Sequence, residues 1–158
     1  MSDGLVFILT LLALLGCGLV AGIFFAFSTF IMKALGKIPA PQGIAAMQSI
    51  NIVVINPWFL TAFFGTAIVC LVLALAAVLG SARSGTGLLL AGSLLYLVGT
   101  ILVTMVCNVP RNNALAAVEQ ESAEGAQLWA NYLQSWTFWN HVRTLAALVA
   151  ASLFALAL

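Results

Sequence analysis

The single histidine of this chain, His141, lies in SWTFWNHVR (residues 135–143), beside Asn140 and Arg143 and two of the four tryptophans, Trp136 and Trp139. An imidazole exchanges a proton near neutral pH, a guanidinium balances negative charge, and carboxamides donate hydrogen bonds to a developing oxyanion. A second polar group stands in NVPRNNAL (residues 108–115), where Asn108, Asn112 and Asn113 surround Pro110. Pro110 lacks an amide hydrogen and frees a carbonyl one turn earlier, which predicts a kink or a helix end. Just upstream, Tyr96, Thr100, Thr104 and Cys107 recur at steps of three and four, one stripe on a helix face.

These residues are set in a chain of 158, of which 64% are hydrophobic and 6% charged. Soluble domains carry about 25% charged residues, so the composition is that of an integral membrane protein with lipids as its surroundings. Five Lys and Arg and a net charge of +1 form no basic patch, which excludes a nucleic-acid partner. Cys17, Cys70 and Cys107 lie in apolar runs without CxxC spacing, as packed or lipid-facing thiols would.

Four apolar stretches, residues 5–32, 57–79, 88–107 and 139–158, each reach the roughly 20 residues that cross a hydrocarbon core. In lipid the backbone must satisfy itself, so each is predicted to be a helix. The expected fold is an all-α, integral membrane four-helix bundle, one membrane domain over residues 1–158. The first stretch reads as a retained helix and not a leader, because MSDG carries no Lys or Arg and the run continues past Cys17. Gly18 and Gly22 form a small-xxx-small step that predicts close approach to a neighbouring helix.

PAPQGIAAMQSIN (residues 39–51) reads as a short interfacial helix in loop 1–2, and Asn56 with Pro57 as the start of the second span. Loop 3–4, residues 108–134, is longer and has a helical composition with Arg111, Glu119, Glu121 and Glu124. Four spans put loops 1–2 and 3–4 at one membrane end, which brings Asn51, Asn56, NVPRNN and SWTFWNHVR together. Lys33, Lys37, Arg111 and Arg143 at that end, against Arg83 opposite, favour non-cytoplasmic termini, with a bacterial inner membrane as the expected location.

At about 100° per residue, Trp129, Tyr132, Trp136, Asn140 and Arg143 share one stripe if the helix is continuous. Thr137, His141, Thr144 and Ser152 form another, and His141 lies about 160° from Arg143. The hydroxyls on the histidine's stripe favour His141 as the inward residue. Other readings stay open: Arg143 snorkelling to headgroups, the tryptophans as an interfacial belt, and the asparagines as helix caps. Convergence of these groups at one membrane end points to a pocket. Its candidate catalytic residues are His141, Asn108, Asn112, Asn140 and Arg143. Trp136, Trp139, Tyr96, Thr104 and Asn51 are candidates to line a substrate.

A protein-only metal site is disfavoured by one histidine and by acids confined to a loop and the N-terminus. No cofactor is expected, although haem ligated by His141 or a bound quinone stays open. Four spans without an inverted repeat are few for a carrier.

FFAFSTFIMKAL, MQSIN, NVPRNNAL and WTFWNHVRT together resemble the anthrone oxygenase-like family of small four-helix membrane proteins, many of them a domain of unknown function. The resemblance runs from Gly22 to Ala150. It implies oxidation of anthrones to anthraquinones with dioxygen, as in fungal members, without a metal or flavin. An anthrone is a flat, apolar tricycle whose acidic benzylic carbon yields a carbanion able to pass an electron to dioxygen. On that chemistry His141 would be the general base and Asn108, Asn112 and Asn140 donors to the enolate oxygen. Arg143 would stabilise charge, and Trp136 would be a stacking wall. The competing class is a non-enzymatic membrane module that binds a lipid, a quinone or a partner subunit, as a monomer or oligomer, with the polar cluster locking its helices.

Overall fold

The computed structural model describes residues 2–80 and 85–158. Among the described residues are five helices: α1 (Asp3–Leu35), α2 (Ala40–Val53), α3 (Pro57–Val78), α4 (Thr86–Ala116) and α5 (Ala123–Ala157). Of these, α1, α3, α4 and α5 are long and apolar enough to cross a membrane. No strand occurs among the described residues. The spans close a ring, α1 against α3 and α5, α4 against α3 and α5. This is the all-α membrane bundle read from the sequence.

Local chemistry sets several of the boundaries as expected. Asn56 caps α3 by accepting from the Phe59 amide at 3.1 Å, and Pro57 fills the first helical position, where no amide is needed. The interfacial helix of loop 1–2 is α2, with Pro41 in its first turn.

Two boundaries differ. The surface helix expected in loop 3–4 and the span expected at 139–158 are one helix of 35 residues, α5. Ser122 starts it, its Oγ accepting from the Gly125 amide at 2.9 Å and donating to the Glu119 carbonyl at 2.8 Å. No proline follows between Ala123 and Trp139, and nothing there favours a second start. Likewise α4 runs through Pro110 to Ala116, so of the two outcomes expected there, a kink or an end, the helix does not end. A π-helical turn at Thr104–Asn108, just ahead of the proline, widens the helix where a tight turn would meet the ring.

At 1.5 Å per residue α5 is about 52 Å long, against a hydrocarbon core of about 30 Å. Its first turns therefore project beyond the apolar layer, and they carry a core of their own. Met32, Ile44, Met47, Leu115, Trp129, Tyr132 and Trp136 pack together there, between α2 and the ends of α1, α4 and α5. A second core, including Cys17, Val20, Phe24, Phe63, Leu73, Tyr96, Ala147 and Phe154, fills the spans.

Close helix approach is made at Gly16 and Gly99. A Cβ on Gly16 would run into the Thr66 side chain, and one on Gly99 would stand 2.5 Å from Ala146 Cβ. Gly18 and Gly22 meet nothing within 4 Å, so the predicted small-residue contact of α1 falls two positions away from the expected step. Cys17 and Cys70 are buried, Cys107 is half-buried, and all three are free thiols. The residues of loop 2–3 at 81–84, with the Arg83 used in the charge comparison, lie outside the described residues.

Gly99→Val is expected to destabilise the bundle by about 1–3 kcal/mol, because the branched side chain must push α4 off α5. Gly18→Ala should hold or raise stability. Thermal melting of the two variants in detergent checks both.

Candidate functional site

The two cores meet at a polar layer, built by α5 from the stripe that the sequence predicts for a continuous helix. Trp129, Tyr132 and Trp136 belong to the outer core, Ala147, Ala150 and Phe154 to the inner, and Asn140, Arg143 and Thr144 stand between them, all buried. The facing helices present their polar residues from widened turns. In α1 the π-helical stretch Phe27–Ile31 holds Ser28, and in α4 Thr104–Asn108 holds Thr104 and Asn108. Such turns are rare in helices and cluster at functional sites.

Asn140 ties α5 to α1. Its Nδ2 donates to the Phe24 carbonyl and to Ser28 Oγ, both at 2.7 Å, and its Oδ1 accepts from Arg143 Nε at 2.9 Å. Ser28 Oγ in turn shares a hydrogen with Thr144 Oγ1 at 3.1 Å, and Thr144 donates to the Asn140 carbonyl. Arg143 Nη1 donates to Thr104 Oγ1 at 3.2 Å. The guanidinium carbon lies 4.0 Å from the centroid of the Phe24 ring and 4.8 Å from that of Trp136.

Arg143 is 5% exposed, and its partners among the described residues are all neutral. The four acids, Asp3, Glu119, Glu121 and Glu124, are exposed. Two aromatic faces each offset up to about 2 kcal/mol of the charge's desolvation, which a spanning helix makes severe.

Asn108 completes the layer. It is wholly buried and its Nδ2 donates to the Trp136 carbonyl at 3.2 Å, while its Oδ1 has no partner among the described residues. The opposite amide orientation would set two carbonyl oxygens against each other, so the oxygen of the carboxamide is a spare acceptor. Arg143 and Asn108 thus border the same Trp136, one a cation, the other a spare acceptor.

Toward the membrane surface, Asn112 Oδ1 accepts from Tyr132 Oη at 2.8 Å and from Trp136 Nε1 at 2.7 Å. Asn51 of α2 neighbours the same tyrosine hydroxyl. Beyond Tyr132 a cavity of about 230 Å³ opens between α4 and α5, lined by Arg111, Ala114, Leu128, Asn131, Tyr132 and Ser135. Arg111 donates to Ser135 Oγ and to the Cys107 carbonyl on its wall.

Measured against the sequence reading, Asn108, Asn112, Asn140, Arg143, Trp136 and Thr104 come together, with Asn51 at their edge. The inward residue of the two is Arg143 and not, as expected, His141. Arg143 is buried and His141 is exposed on the opposite face of α5. The stripe misled because its hydroxyls do not share one environment: Thr144 is buried in the layer, whereas Ser152 is exposed and donates to the Leu148 carbonyl four residues back. Snorkelling does not describe Arg143, whose head is covered.

Trp139 packs edge-on against Phe138, away from the layer. Tyr96 lies deeper, wholly buried and donating to the Phe63 carbonyl at 3.0 Å, a lock between α3 and α4. The donor role of Asn140 also changes, since its Nδ2 hydrogens go to the Phe24 carbonyl and to Ser28 Oγ, while Asn108 Nδ2 gives one hydrogen to the Trp136 carbonyl. Phe24 and Ser28 belong to the site without having been singled out; a serine inside the apolar FFAFSTF of α1 was the available signal.

Removing the charge and removing its anchor should have opposite effects. Arg143→Met is expected to be neutral or stabilising, since the desolvation it relieves offsets the one acceptor, Asn140 Oδ1, left without its donor. Asn140→Ala leaves Arg143 Nε and Ser28 with a lost partner and should cost about 1–3 kcal/mol. Melting temperatures in detergent separate these, and a fall in both would make the arginine a structural strut.

The chain matches no curated protein and no solved structure. The sequence model of one protein family, anthrone oxygenase, matches residues 58–153, the segment that carries Thr104, Asn108, Asn112, Trp136, Asn140 and Arg143. This chain, whose match covers more than half its length, belongs to the anthrone oxygenase family.

Proposed function

We propose that the protein oxidises a flat, enolisable aromatic of the anthrone type with dioxygen at the Arg143 layer. The observation that carries this reading is the buried guanidinium itself, held by Asn140 and Thr104 against Phe24 and Trp136 with neutral partners throughout. A fixed cation in a medium of low dielectric favours the enolate over the ketone and stabilises charge as it develops on oxygen. Asn108 Oδ1 would accept from a hydroxyl of the same ligand. Phe24 and Trp136 wall the charge with aromatic rings, and the cavity beside Tyr132 is the way in from the interface.

The overall reaction balances without a resident cofactor. The methylene carbon of the anthrone loses two hydrogens and gains one oxygen atom as a carbonyl, and the second oxygen atom leaves with both hydrogens as water. The aromatic substrate is oxidised and dioxygen is reduced. Both reactants are apolar and concentrate in the bilayer, which suits a site inside a membrane bundle. Lys33 and Lys37, exposed near this end, favour the cytoplasmic side for it, in a bacterial inner membrane.

The purified protein in vesicles, given anthrone, is expected to consume one dioxygen per anthraquinone formed. Arg143→Gln should lower the rate by about 100-fold or more, as loss of an oxyanion-stabilising group does elsewhere. An oxygen electrode with absorbance at the quinone band measures both, and a wild-type rate equal to that of protein-free vesicles would sink the proposal.

A further inference from the structure

The layer has a cation but no base. The side chains of the described residues that accept a proton at neutral pH, Asp3, Glu119, Glu121, Glu124 and His141, are all exposed. What faces Arg143 comes from α1 as Phe24, from α4 as Thr104, and from α5 as Trp136 and Asn140, the last held by Ser28. The Tyr132 hydroxyl, on the same stripe of α5, already donates to Asn112, and beyond Tyr132 stands Arg111, a second cation. A ligand that must lose a proton here meets no side chain suited to take it.

We propose that the site selects its aromatic ligand as a preformed oxyanion, with Arg143 setting the ligand's acidity and no side chain serving as general base. The carbon–hydrogen bond of the ligand breaks heterolytically. Its electron pair stays on the ligand, delocalised onto the carbonyl oxygen beside Arg143, and the proton passes to water at the interface. The inference rests on the Arg143 layer being the substrate site. It assigns His141 no part in the chemistry.

Anaerobic anthrone is the probe, because its anion absorbs to the red of the ketone and cannot turn over. Bound to the wild-type protein it should ionise about 1–3 pH units below its value in empty micelles, the usual effect of an adjacent cation on an acid. Arg143→Gln should abolish the shift, Arg143→Lys should retain part of it, and His141→Gln should leave it unchanged. Thr104→Asp, which supplies a carboxylate where Nη1 already donates, should remove the shift while keeping the fold, as read by melting temperature. Aerobic turnover is measured in parallel. Oxidation by the wild type with no ionisation shift, or turnover lost in His141→Gln, overturns the inference and leaves the proposed reaction standing. A shift that depends on Arg143 without any oxidation supports the binding inference and counts against the reaction.

Discussion

A guanidinium buried in a membrane bundle must be immobilised by its neighbours, and here one carboxamide does most of that. Asn140 accepts from Arg143 Nε while its own amide grips the Phe24 carbonyl and Ser28 of the adjacent helix. The bond fixes the side chain of Arg143 relative to α1, and Thr104 fixes it relative to α4. Because every protein partner is neutral, the positive charge is oriented without being cancelled. The same low dielectric that makes such a charge expensive also makes its field strong at short range. That combination is poor for stability and good for binding an anion.

The rest of the architecture can be understood as making room for this layer. Widened turns in α1 and α4 occur where Ser28, Thr104 and Asn108 must reach inward, and α4 also has Pro110 to accommodate there. The outer core of α2 and the start of α5 roofs the layer with Trp129, Tyr132 and Trp136, stacked in succession at 5.6 and 5.9 Å between ring centroids. Tyr132 and Trp136 share a single acceptor, Asn112 Oδ1, so the inner wall of the cavity and the ring against Arg143 are coupled through one atom.

Hydropathy made the four spans legible, since roughly 20 apolar residues have few alternatives to a membrane helix. Asn56 and Pro57 marked the start of α3 because capping chemistry is local. The length of α5 was hidden: polarity in Glu124, Asn131 and Gln134 reads as a loop, whereas a helix projecting out of the bilayer keeps its backbone pattern and changes only its solvent. Most of the site's residues were visible as polar exceptions in apolar runs. Which of them face inward was not, because Thr and Ser on a helix satisfy themselves on the preceding turn, and so carry no information about the face they occupy. The stripe of Trp129, Tyr132, Trp136, Asn140 and Arg143 held the answer, and its periodicity was a better guide than the chemistry of single residues.

An unbroken α5 also ties the site to the thickness of the membrane around it. Arg143 stands 20 residues from one end of that rod and 14 from the other, about 30 and 21 Å along the axis. With no hinge between cap and span, the depth of the charge below the headgroups is fixed by where the bilayer grips the rod. A thicker or thinner membrane, through hydrophobic mismatch, therefore changes how far the buried cation lies from water. For the reaction proposed above, lipid chain length would set how far the ligand's proton must travel.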